Sequence, residues 1–213
     1  MVRSAAGFTL FELLVAMGIS LGVLGASAAL SAQMQGAYRF QAEAAEANQE
    51  GRYAIEWIER YLRAAGNNPH SLAVTPCPLA GTPVTGIRFD PDGDGIDDDI
   101  RLQADTAPVN GRIGGAAGAC TEPGEDLTIA HDPAQLTITL TDNNVGRTAD
   151  TRSDSIVTGL QFIYRDAGSN QTAIATTVVF IETVVTVRSR VNNPNTGVPG
   201  VYVLRSTVRV RNR

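Results

Sequence analysis

Apolar positions in the first third of the chain follow two regimes. From Phe8 to about Ala32 they run almost without interruption, and Glu12 is the only charged side chain among them. At 1.5 Å of rise per residue, a helix of that length covers the ~30 Å hydrocarbon core of a bilayer. An acid near the start of such a run is costly in lipid and marks a functional position. From Gln33 onward the pattern turns amphipathic. Ala54, Ile55, Ile58, Leu62 and Ala65 recur at helical spacing, which predicts a buried stripe facing a sheet. No proline falls between Phe8 and Gly66, and Gly66-Asn67-Asn68-Pro69 is a strong stop. One helix over that whole span would be about 85–90 Å long. A rod of that length cannot bury itself in its own domain, so its first half needs lipid or neighbouring subunits. Gly18, Gly22 and Gly25 either weaken that half or let apolar helices pack closely.

Beyond Pro69 the period changes to short β-rich runs between turn residues. Strands are expected at Leu72–Thr75, Val84–Phe89, Asp99–Gln103, Leu127–Ala130, Leu136–Thr141, Ile156–Arg165, Thr176–Arg190 and Val201–Arg211. Ala104–Gly124, rich in Gly, Ala and Pro, reads as a long loop around Cys120. The last strand alternates: Val201, Val203, Arg205, Thr207, Arg209 and Arg211 share one face, and Tyr202, Leu204, Ser206, Val208 and Val210 the other. The arginine face is either a polyanion stripe or a solvated face paired with acids. A long helix followed by strands makes the fold class α+β.

The 213 residues allow one membrane segment and one medium-sized domain. A formal charge of −5 argues against general nucleic-acid binding and favours the solvated reading of the arginine face. On the helix, Arg39 with Glu43, Glu56 with Arg60 and Glu59 with Arg63 are spaced as i, i+4 pairs. Cys77 and Cys120 both follow the apolar run. In an exported domain they can form one disulfide, which would stabilise by about 3–4 kcal/mol; otherwise they are two unrelated thiols. His70 and His131 are the only histidines, and no nucleophile elbow, phosphate loop or zinc spacing occurs. The chain is therefore not expected to be an enzyme or to require a cofactor.

The sharpest local motif is Asp90-Pro91-Asp92-Gly93-Asp94-Gly95-Ile96-Asp97-Asp98-Asp99. Acids at alternate positions with glycines for a tight turn can wrap oxygens around a hard cation such as Ca²⁺. The loop resembles the first half of an EF-hand loop. Where that loop places its closing glutamate this chain has Arg101, so Asp97, Asp98 or Asp99 would have to close the site along a different path. The flanks Ile87-Arg88-Phe89 and Ile100-Arg101-Leu102 suit, equally, a β-hairpin whose tip is merely acidic. A site here would be weak, sub-millimolar or poorer, and suited to a calcium-rich exterior.

Gly7-Phe8-Thr9-Leu10-Phe11-Glu12, with the apolar run after the glycine, resembles the processing site of type IV prepilins. A secretory signal differs in placing its apolar stretch before the cut. A plain membrane anchor explains the length but not the Gly-Phe junction. Tyr38-Arg39-Phe40-Gln41 and the segment from Asn48 through Glu50-Gly51-Arg52 to Ala65-Gly66 resemble PilW-type minor pilins of type IV pili, and the acidic loop and Arg211-Asn212-Arg213 fit the same family.

The resemblance implies a pilin-like fold, with the long N-terminal helix packed on a C-terminal antiparallel β-sheet domain. It divides the chain into a leader over 1–7, a transmembrane and filament-core helix half over 8–32, an amphipathic half over 33–66 and a periplasmic or extracellular β-rich domain over 67–213. It also implies cleavage after Gly7 by a prepilin peptidase, methylation of the Phe8 amine, and pairing of Glu12 with that amine or a neighbour's. Implied partners are other minor pilins, the major pilin, the inner-membrane assembly platform and a tip adhesin. Before assembly the chain would wait in the inner membrane with Arg3 in the cytoplasm. Two other expectations stand beside this one: a minor pseudopilin J of a type II secretion system, and a membrane-tethered, calcium-dependent adhesion module.

Overall fold

A computed structural model describes residues 9–68, 74–75, 82–83, 86–106, 113, 122–144 and 149–210. Helix α1 spans Leu10–Ala64, 55 residues, and is about 80 Å long. It begins at a capping box. The Thr9 hydroxyl accepts from the Glu12 backbone N–H at 3.2 Å, and Glu12 Oε2 accepts from the Thr9 N–H at 3.1 Å. It ends as Ala65 turns extended and Gly66 takes φ +73°, donating its N–H to the Gln103 carbonyl at 2.9 Å.

The two regimes of the sequence are two environments in space. Leu10, Phe11, Leu14, Ile19, Leu21 and Leu24 are exposed, and the apolar half is long and apolar enough to cross a membrane, with a mean hydropathy of 2.1 over its best window. The buried helix residues begin only at Ala47 and continue through Gly51, Ala54, Ile55, Trp57, Ile58 and Leu62. That stripe includes the four helix positions expected from spacing, with Ala65 buried just beyond the helix end. Of the three expected i, i+4 pairs, the Glu59–Arg63 ion pair forms; among the described residues the other two do not.

Among the described residues ten strands follow, all pairing antiparallel. β1 (Val74–Thr75) and β2 (Thr82–Pro83) make a short ladder. β3 (Ile87–Phe89), β4 (Asp99–Gln103), β5 (Asp126–Asp132), β6 (Thr137–Asp142) and β7 (Asp150–Thr151) form a five-stranded meander in chain order. β8 (Val157–Arg165), β9 (Phe180–Asn192) and β10 (Pro199–Arg209) form a second sheet with β9 central. The helix lies on β9 and β10, and the meander meets the second sheet along β8, so a single cluster of buried side chains runs from Ala47 to Val210.

The helix sits close to the sheet at Gly51. A Cβ there would lie 2.7 Å from Leu204 Cδ1, so glycine is what lets the two elements approach. The end of α1 meets the β3 side of the meander in the same way: Gly86 (φ +70°) has the Gly66 Cα 2.8 Å from where its own Cβ would stand.

β4 spans the residues expected, and β5, β6 and β8 lie within two residues of expectation. Two short strands, β2 and β7, are additions. The expected run from Thr176 differs at its start. Ala175–Thr177 is a turn of 3-10 helix, and β9 begins only at Phe180, because Thr177 donates both its N–H and its hydroxyl to the Ile174 carbonyl. The alternation of β10 holds, with Val201, Val203, Arg205, Thr207 and Arg209 exposed and Val208 and Val210 buried. Arg205 and Arg165 reach from either side to Glu182 on β9, at 3.0 and 2.8 Å.

Candidate functional site

The β3–β4 hairpin pairs Ile87 with Leu102, Arg88 with Arg101 and Phe89 with Ile100, and carries the acidic loop at its tip. The loop's path is set by its own short side chains. Asp90 takes φ +43°, and Gly93 and Gly95 take φ +81° and +83°. Asp90 Oδ1 accepts from the N–H groups of Gly93 and Asp94 at 2.8 and 3.0 Å, and its Oδ2 from Gly95 at 3.0 Å. Asp92 Oδ1 accepts from Asp94, and Asp94 Oδ1 from Ile96 at 2.7 Å. The chain then turns back into β4, where Asp99 is 3% exposed.

This path gathers three of the six candidate acids. Asp90, Asp92 and Asp99 each offer a carboxylate oxygen, and the three oxygens lie within 4.8 Å of one another. Asp99 Oδ1 is buried and has no hydrogen-bond partner. Burial, with the negative charges of Asp92, Asp90 and Asp98 nearby, pushes the Asp99 carboxyl up to about 7, although the Asp92 backbone N–H opposes this. Asp90 moves the other way: desolvation resists ionisation, but the N–H groups of Gly95, Gly93 and Asp94 and the side chain of Asp92 outweigh it. The other three acids serve elsewhere. Asp94 binds the loop backbone. Asp98 Oδ2 lies 3.8 Å from His131 Nδ1 on β5. The Asp97 carbonyl accepts from the Phe162 N–H on β8 at 2.8 Å, and burial and the Asp90 charge raise its carboxyl.

Behind the cluster, the Phe89 and Tyr164 rings stack with centroids 3.8 Å apart. The Tyr164 hydroxyl is buried without a partner, and burial and the charges of Asp97, Asp99 and Asp90 hold it in its protonated form. Arg101 does not face the loop at all. Its guanidinium donates two bonds of 2.6 Å to buried Asp126, which also accepts from Gln103 and Asn143 at 2.9 Å. The sequence signals for both partners are weak: Tyr164 lies far from the acidic motif along the chain and comes to Phe89 only through the meeting of the sheets, and Asp126 comes to Arg101 only through pairing of β4 with β5.

At the other end of the molecule, Glu12 is not the bare acid that the apolar run suggested. Its Oε2 accepts from both the backbone N–H and the hydroxyl of Thr9, at 3.1 and 3.0 Å. Thr-x-x-Glu is the sequence mark of a capping box and was the available signal. Gly7 and Phe8, Cys77 and Cys120, His70, and the terminal Arg211-Asn212-Arg213 lie outside the described residues.

No family model, curated protein or solved structure matches this chain.

Proposed function

We propose that this chain is a minor pilin of the PilW type, a priming or tip-proximal subunit of a type IV pilus, incorporated after cleavage by a prepilin peptidase. The observation that carries the reading is the division of one continuous helix. Its exposed apolar half starts at Leu10 with a capped Glu12, just after Gly7-Phe8 in the sequence, and its other half is laid along an antiparallel sheet. Such a helix places an unburied apolar rod outside the domain that holds its base. Lipid before assembly and the apolar helices of other subunits afterwards are the two surroundings that rod requires.

In this reading the chain first sits in the inner membrane as a single span, with its amino end in the cytoplasm and the β domain in the periplasm. It is cut after Gly7 and methylated at Phe8, and is then extracted by the assembly platform beside other minor pilins. Glu12 pairs with a terminal amine in the filament, where a cation offsets the cost of an acid among apolar helices.

N-terminal sequencing of the mature protein, from cells with an active prepilin peptidase, tests this directly. The expected first residue is methylated Phe8, and an intact leader overturns the proposal. A Glu12→Val variant is expected to be cut and inserted but to assemble poorly, and normal piliation would remove the role given to Glu12. Crosslinking to secretion pseudopilins instead of pilins would move the chain to the pseudopilin J class.

A further inference from the structure

Carboxylate oxygens of Asp90 and Asp92 in the loop and of Asp99 at the start of β4 converge, and the buried Asp99 itself has an oxygen with nothing to bond. Buried polar atoms in folded proteins are almost always satisfied, and an acid buried beside two others is doubly costly without a counter-charge. The donor set is all oxygen, which excludes a soft metal and points to a hard cation. Calcium binds oxygens at 2.3–2.6 Å, so two ligands of one calcium stand at most about 5 Å apart. The observed limit of 4.8 Å is within that reach. A magnesium ion, with bonds of about 2.0–2.1 Å, would demand a tighter and more regular set.

We propose that Asp90, Asp92 and Asp99 bind one calcium ion at the tip of the β3–β4 hairpin, with Asp99 as the ligand that closes the loop in place of the residue an EF-hand would use. Water and loop carbonyl oxygens complete the coordination. The ion joins the outer end of the hairpin to the start of β4. In the same loop the Asp97 carbonyl accepts from the Phe162 N–H on β8, so binding also stiffens the seam between the two sheets. This inference is independent of the pilus reading, since it concerns only the β domain.

Calorimetry on the full-length chain in detergent micelles, titrated with CaCl₂ after treatment with EDTA, tests it. One ion should bind, with a dissociation constant of about 10⁻⁴–10⁻³ M. MgCl₂ should bind at least tenfold more weakly. Asp99→Asn should weaken calcium binding at least tenfold, while Asp150→Asn, on an exposed acid of β7, should leave it unchanged. Melting gives a second readout that does not depend on the variant binding anything. In EDTA, Asp99→Asn should melt higher than the parent, because it removes one of three crowded charges. Added calcium should raise the melting temperature of the parent and not of the variant. Amide exchange at Phe162 should slow with calcium in the parent alone. Absence of heat at millimolar calcium, or equal affinity in the parent and Asp99→Asn, overturns the proposal.

Discussion

Asp126 places a full carboxylate inside the meander, and Arg101 is what makes that tolerable. The acid is 0% exposed and receives two guanidinium bonds, with Gln103 and Asn143 filling the remaining lone pairs. Removing one partner of such a pair leaves a buried charge uncompensated, whereas replacing both by apolar groups is often tolerated. Arg101→Ala is therefore expected to destabilise the fold by about 3–5 kcal/mol, and the double change Arg101→Met with Asp126→Leu by much less. Urea unfolding of the full chain checks both, and equal losses in the two variants would sink the argument. At this scale the sequence was legible where chemistry is local. The acid-and-glycine pattern sets a tight loop because Asp90, Asp92 and Asp94 each bond a backbone N–H only a few residues away. It does not say which acids meet, because Asp99 joins Asp90 and Asp92 only once β4 has paired with β3, Phe89 opposite Ile100. Arg101 stands in the sequence where an EF-hand loop has its closing ligand; its actual partner lies 25 positions along the chain.

Across elements, Glu182 ties the second sheet together, since Arg165 of β8 and Arg205 of β10 both bond it. Those hydrogen bonds hold its carboxyl below the usual range. The sign follows from the depression. Stability from this group is present above the unfolded value of about 4.3 and is lost as pH falls through the lower folded value. Glu182→Gln should lower the melting temperature modestly at neutral pH and flatten its fall below about pH 4.3. A melting series across the acid range measures it, and parallel curves for parent and variant would show that Glu182 contributes nothing. The strands themselves were readable from alternation, most clearly in β10, whose two faces separate as the pattern requires. The start of β9 was not, because threonine hydroxyls near Thr177 offer the backbone a local turn that competes with the ladder.

For the whole molecule, stability resides in the β domain and the second half of the helix. No residue of α1 before Ala47 is buried, so a chain starting at Gln33 should fold without detergent and melt within a few degrees of the full protein. Circular dichroism and size-exclusion chromatography check this, and unfolding of the shortened chain would mean that the apolar half supports the core. The split in the helix was legible because it is a change in periodicity within one proline-free run. Its seat on the sheet was only half legible: the stripe from Ala54 to Leu62 was visible, but the close approach at Gly51 depends on Leu204, which is brought there from the far end of the chain.

The capping box at Thr9 and Glu12 gives the acid an occupant of its own while the chain is alone. Both of its bonds fall on Oε2, which leaves the lone pairs of Oε1 open to a second donor. In the proposed filament an amine would meet Oε1 while the threonine keeps Oε2, so the encounter would add a partner without costing one. The acid would then have a donor before, during and after assembly.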